Sequence, residues 1–389
     1  MRRARKGFAG LPTAALLWAA CQLVASACRP DGRVREAGSH GADSSGSDKR
    51  LLGDEDVDFV LERLDVGGAV PLGSGEFALL DYRGKQIVVF DTSGAMVRRF
   101  GRGGGGPGEL LFPQGLVRML DDRIGVVDGR KLALVVFSYS GVPMGQLPLD
   151  TLVDVSPTRL LGLRHVGPGR WLVAERISVG SQTYERLSLR EGRRSIGIDS
   201  TQAATVKPTV YPCNVIVESG EAPVFWPTLR WDAAPGFHAR TTRVEYQVAL
   251  QGADRHVAGL PIQPREADRV AALRERLGGT VQVGTIGCRL SRESALEQRS
   301  MASRIPVVRS LRVSPQHQVW VQRDAPHGTA RPIDVFDASG HKIATMADAP
   351  MPLFFLTDTT FVSMEIGADS GVALWLHRVP SLLNPPLKR

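Results

Sequence analysis

Val89-Phe90-Asp91-Thr92-Ser93-Gly94, Val136-Phe137-Ser138-Tyr139-Ser140-Gly141 and Val335-Phe336-Asp337-Ala338-Ser339-Gly340 are three copies of one phrase. Each is an apolar, β-rich run ending in a polar turn with glycine, the pattern of the inner part of a β-hairpin. The first two copies lie 47 residues apart, and Asp81 and Asp128 share that offset. Four-stranded propeller blades repeat at about 40 to 50 residues, because each blade is one antiparallel sheet of short strands. The phrase therefore decides the fold class: all-β, a β-propeller.

Working outward, blade one takes Val66–Leu72, Gly75–Asp81, Ile87–Asp91 and Met96–Phe100, separated by turns at Gly73-Ser74, Arg83-Gly84-Lys85 and Thr92-Ser93-Gly94. Blade two repeats the plan in Gly115–Leu120, Arg123–Asp128, Leu132–Phe137 and Pro143–Leu149. Blade three holds Trp171–Arg176 and Tyr184–Leu189; blade four holds Arg230–Ala233, Phe237–Thr241, Val244–Leu250 and His256–Leu260. The spacing then breaks. Arg265–Leu277 has helical periodicity, with Pro264 before it and Gly278-Gly279 after it, and Glu293–Met301 reads as a second helix. With the 43 residues 262–304 set aside as an insertion, the second and third phrases stand three steps of 52 apart, which makes the third copy blade five. Blade six supplies Leu353–Leu356, Phe361–Ile366 and Val372–Val379 but no fourth strand, whereas Val57–Leu64 has no blade of its own. The predicted architecture is thus a six-bladed β-propeller over 51–380, closed by Val57–Leu64 so that no sheet edge stays open, with a short helical insertion (262–304) before blade five and a C-terminal tail, 381–389.

The N-terminus reads as an export signal. Arg2, Arg3, Arg5 and Lys6 precede an apolar stretch ending in Ala25-Ser26-Ala27. Cys28 follows directly and is the expected lipidation site of a bacterial lipoprotein, although Ala25 stands where such signals usually carry Leu; an ordinary secreted signal and an uncleaved membrane anchor are the alternatives. Residues 28–50, rich in Gly, Ser, Asp and Arg, form a tether with too little apolar surface to fold. The expectation is a monomeric body in the cell envelope, periplasmic or on the outer surface, anchored to a membrane through lipid. Without residues 1–27 the net charge of +8 becomes +4, and the remaining Arg and Lys are scattered among acids, a pattern that argues against nucleic acid as a partner. Of four cysteines, Cys213 and Cys288 remain as a possible disulfide pair in an oxidising compartment; two buried thiols are the alternative.

The stretch Ile87–Phe137 resembles NHL-type six-bladed β-propellers of the bacterial cell envelope. The residues that carry the likeness are Val89-Phe90-Asp91, Gly101-Arg102, the linker Gly106-Pro107-Gly108-Glu109, Pro113, Asp122-Arg123-Ile124 and Asp128. Blade two departs from the pattern with Ser138 in place of Asp, and blades three and four lack the Phe-Asp phrase. The resemblance implies a scaffold and no particular activity.

No catalytic set is legible. Gly103–Gly108 lacks the following helix and lysine that a phosphate cradle needs, so it reads as an inter-blade turn. The histidines (His40, His165, His238, His256, His317, His341 and His377 among them) form no His-x-His or His-x₃-His pair, so no metal and no cofactor are expected. Asp81, Asp128 and Asp324 read as turn caps, and Trp171, Trp226, Trp231, Trp320 and Trp375 as packing between blades, with room for one or two to stack on a ligand. The expected role is a non-enzymatic binding or scaffold module for an envelope protein or small ligand docking at a propeller face. The alternative is a propeller lyase or lactone hydrolase with its site at the central channel.

Overall fold

The computed structural model describes residues 48–383 apart from 62–63, 65–66, 74, 153–159, 180–181, 206–208, 211–215, 218–228, 267–280, 284–287, 291–303, 327–328 and 368–370. Six four-stranded antiparallel sheets make up the body. Blade one is Ala69–Pro71, Phe77–Asp81, Gln86–Phe90 and Met96–Phe100. Blade two is Pro113–Arg118, Arg123–Asp128, Ala133–Ser138 and Pro143–Pro148. Blade three is Leu160–Gly167, Arg170–Val179, Gln182–Glu191 and Arg194–Thr205. Blade four is Arg230–Ala234, Phe237–Thr241, Gln247–Gln251 and Arg255–Gly259. Blade five is Val308–Val313, Val319–Arg323, Ile333–Phe336 and Lys342–Met346. Blade six is Pro352–Phe355, Thr360–Ile366 and Val372–Arg378, completed by Lys49–Gly53 from the other end of the chain. The first strand of each blade contacts that of the next, and blade six returns to blade one, so the ring is closed.

The middle strands explain why the apolar runs are nearly continuous. Phe77–Asp81 is buried throughout and Ala133–Phe137 likewise, because neighbouring blades cover both faces of a middle strand. The outer strand of blade two, Pro143–Pro148, is exposed along its whole length. The repeated phrase sits where these environments meet. Phe90, Phe137 and Phe336 are buried, and the next residue ties the turn. Asp91 accepts the amides of Ser93 and Ala95 at 2.7 and 3.1 Å. Asp337 accepts those of Ser339 and His341 at 2.9 and 3.0 Å. Ser138 performs the same task through its hydroxyl, which accepts Val142 N–H at 3.1 Å.

The glycine of each phrase has two reasons to be glycine. Gly94, Gly141 and Gly340 have φ of 83°, 91° and 89°, a region costly for residues with a Cβ. Each also packs on the outer strand of the preceding blade: a Cβ at Gly94 would lie 2.1 Å from the Leu51 carbonyl oxygen, one at Gly141 2.8 Å from the Phe100 ring, and one at Gly340 3.2 Å from the Val257 carbonyl oxygen. The same turn thus shapes a hairpin and seats one blade on another.

The closing strand is Lys49–Gly53, not Val57–Leu64. It pairs antiparallel with Val372–Arg378, Leu52 opposite Leu374. Leu51 and Leu52 are buried, and Asp54 accepts the amides of Val372 and Leu61, which turns the chain off the sheet. Val57, Phe59, Leu61 and Leu64 do enter the core between blades six and one, as an irregular strap rather than a strand. Their apolar content was real, but burial alone does not distinguish a strand from a packed loop. The expected helix at Arg265 is also corrected at its start: Arg265–Glu266 is a short strand paired with Arg304–Ile305 at the base of the insertion. The rest of both expected helices lies outside the described residues, as do Cys28 and Cys213. Cys288 sits in a short hairpin, Cys288–Leu290 with Val281–Val283.

Candidate functional site: arginines on the inner strands

Three neighbouring blades carry the same dipeptide at the first strand: Leu163-Arg164, Leu229-Arg230 and Leu311-Arg312. The leucines are buried. Successive side chains of a strand point to opposite faces, so each arginine is directed away from the core its leucine fills. Each donates Nη1–H to the carbonyl of its own leucine, at 3.2, 3.2 and 2.9 Å in chain order. Each also reaches the first strand of the following blade. Arg164 Nε lies 3.7 Å from the Asp232 carboxylate, Arg230 Nε donates to the Arg309 carbonyl at 2.6 Å, and Arg312 Nε donates to the Leu353 carbonyl at 2.9 Å.

Arg309 adds a fourth cation, against one carboxylate on these three strands, Asp232, which also accepts Val313 N–H at 2.9 Å. Burial lowers the pKa of Arg230 to about 10, helped by Arg309 and opposed by Glu185. Burial likewise lowers Arg164, opposed by Asp232 and aided by Arg312. Arg164 and Arg312 stand two blades apart, so the field between them crosses the interior of the ring. At about 10, Arg230 keeps its charge at neutral pH. The Arg164 side chain is 37% accessible, which fits a position on an open inner wall. It also lies over the Trp231 ring, 5.7 Å from the centroid. Guanidinium groups held this way are preoriented donors for a carboxylate or phosphate.

The other candidates have structural partners. The glycine-rich linker is filled by its own carboxylate: Glu109 accepts Gly106 N–H at 2.6 Å and Arg102 Nε–H at 2.9 Å. The Gly106 amide and then Arg102 hold the Glu109 carboxyl below its usual pKa. Asp128 accepts the amides of Leu111, Phe112, Arg130 and Lys131 at 2.7 to 3.2 Å, tying this linker to blade two, and Asp81 caps Gly84 N–H at 2.7 Å. Asp324 instead binds Arg265 of the insertion base, with Nε at 3.0 Å. His165 accepts Leu120 N–H at 3.0 Å and packs on Trp171, joining blades two and three. Trp320 is fully buried between Phe355 and Phe361. Trp226 lies outside the described residues. No group of three or more His, Cys, Asp or Glu side chains that could hold a metal occurs among the described residues.

One constellation escaped the sequence. Ser363 Oγ lies 2.7 Å from His377 Nε2, and His377 Nδ1 lies 2.8 Å from Asp48 Oδ1. The connectivity is that of a nucleophile relay. However, Ser363 is only 4% exposed, in the middle of a strand, where an ester or lactone would have no approach. Its evident effect is to bind the start of the closing strand to blade six. The arginines were missed for a different reason: Arg164, Arg230 and Arg312 are separated by irregular intervals, and only ring closure assembles them. A Leu-Arg pair on consecutive first strands was the available signal.

No family model matches the chain, and no curated protein matches it. Solved structures do. A "putative exported protein" from Bacteroides fragilis is 14% identical, with 86% of this chain and 95% of that one covered and a TM-score of 0.45. A member of the DUF4221 family from Bacteroides vulgatus is 9% identical, covering 80% and 96%, with a TM-score of 0.41. The calcium-binding protein regucalcin from Agrobacterium tumefaciens is 10% identical, covering 85% and 90%, with a TM-score of 0.37. Likeness at this level carries no argument about function, and the six-bladed arrangement rests on this chain's own strand pairing.

Proposed function

We propose that the chain is a binding module that holds an anionic group, a carboxylate or phosphate borne by an envelope protein or small ligand, against the inner-strand arginines. The observation that carries this reading is the repeated Leu-Arg clamp: Arg164, Arg230 and Arg312 stand on the first strands of three adjacent blades, each fixed by the carbonyl of its own leucine. Orientation in advance removes part of the entropy cost of binding. The NHL-type resemblance and the export and lipid-anchor readings belong to the same proposal: a lipid on Cys28 would hold the propeller near a membrane. The lyase or lactone-hydrolase alternative places its site at the central channel, and the Ser363–His377–Asp48 row lends it little support because Ser363 is buried.

Citrate and pyrophosphate, titrated at low salt, test the reading. Both should raise the melting temperature of the parent, less so at high salt. Arg164→Gln and Arg312→Gln should each weaken the effect. Equal shifts in parent and variants would refute the assignment.

A further inference from the structure

A cleft of about 280 Å³ opens between blades three and four, separate from the inner-strand arginines. Leu189, Ile198 and Phe237 give it apolar walls, and Arg170, His238 and Arg255 make its polar part. Phe237 is held by His317 of blade five, stacked at 4.9 Å and 10°. Gly197 and Gly236 leave the mouth unobstructed, since a Cβ at either would meet nothing within 4 Å.

The charges are unequally matched. Arg170 pairs with Glu191 at 2.9 Å. Arg255, by contrast, donates Nε–H to the neutral Gln251 side chain at 3.1 Å, with no carboxylate partner among the described residues. His238 Nε2 lies 3.3 Å from Arg240 Nη1. A guanidinium can only donate, so Nε2 accepts and the imidazole proton resides on Nδ1. Nδ1 has no partner among the described residues. Burial and the nearby Arg240, Arg170 and Arg255 push the His238 pKa down to about 4, so the ring is neutral and its Nδ1–H is a donor at physiological pH.

We propose that this cleft binds a small amphipathic carboxylate, its head group on Arg255 and the His238 Nδ1–H and its short hydrocarbon tail against Leu189, Ile198 and Phe237. The volume suits a chain of a few carbons, near the lower end of small-molecule sites. A longer tail would leave the cleft, and a head group alone would lack the apolar contact.

Sodium hexanoate is the probe, titrated into the full chain by calorimetry beside acetate and hexanol. Hexanoate should saturate one site, with acetate and hexanol at least tenfold weaker. Arg255→Gln, at an exposed position, should weaken hexanoate at least tenfold while Lys342→Gln, exposed on the outer strand of blade five, leaves it unchanged. Gly197→Phe, which places a ring in the open cleft, should abolish binding with the melting temperature retained. Hexanoate that fails to saturate, hexanol that binds as well, or Arg255→Gln or folded Gly197→Phe that binds like the parent would overturn the assignment. Loss of hexanoate binding in Arg164→Gln would assign it to the inner-strand arginines instead.

Discussion

Leu52→Ala measures what closes the ring. Leu52 is 1% exposed and packs in a core that joins Phe77, Leu79, Val88 and Phe90 of blade one to Phe354, Val362 and Leu374 of blade six. Truncation removes buried methyl groups and leaves a cavity, together about 3 kcal/mol at such a site. A body of about 300 residues unfolds with an entropy near 0.6 kcal/mol per degree, so the melting temperature should fall by about 5 °C. Val60→Ala is the control: Val60 is 45% exposed, in the strap once expected to be the closing strand, and its truncation should shift the midpoint by less than about 1 °C. Scanning calorimetry on both variants reads the difference directly. Equal shifts, or a larger one in Val60→Ala, would refute the assignment of Lys49–Gly53 as the closing strand.

Asp128→Ala should cost about 3 kcal/mol, because it strands four backbone amides at a fully buried site; a denaturant midpoint within error of the parent would contradict that. Gly94→Ala should lower stability by at least about 2 kcal/mol, from a positive φ and a clash with the Leu51 carbonyl, whereas Gly169→Ala, with positive φ but open space, should cost only about 1 kcal/mol. Equal losses at the two glycines would remove the blade-seating argument. His238 makes stability fall in acid. Its folded pKa is about 4, below the usual 6.5, so between those values the unfolded chain takes up a proton that the folded one refuses. That contribution is complete above pH 6.5 and declines towards pH 4, by up to about 3 kcal/mol. His238→Gln should flatten the stability profile across that window, and an unchanged slope would count against the buried neutral imidazole.

The fold was legible because burial and turn chemistry coincide in the repeated phrase. Phe90, Phe137 and Phe336 mark the third strands, and the following Asp or Ser marks the turns. Blade four was legible without the phrase, as four β-type runs that fall on or beside its observed strands. The closing strand was misread because Leu61 and Leu64 are core residues with Val57 and Phe59 packed against them, while the real strand shows only Leu51 and Leu52 between charged neighbours. Its identity depends on pairing with residues more than 300 positions away, which no local pattern records. The binding site was less legible still. Charges scattered along the sequence looked like a solvated surface, yet Arg164, Arg230, Arg309 and Arg312 come together once the first strands line the ring. The Ser363–His377–Asp48 row was hidden for the same reason, its members lying on two strands and just ahead of a third.

The most direct test of the arginine site is a crystal of the protein soaked in sodium selenate, with anomalous scattering recorded at the selenium edge. The account predicts a selenate peak within hydrogen-bonding distance of Arg164 and Arg312 or of Arg230 and Arg309, lost in crystals of the Arg164→Gln, Arg312→Gln double variant if the first pair binds it. Selenate found only on the outer surface, with the inner arginines unoccupied at full soak, would contradict it.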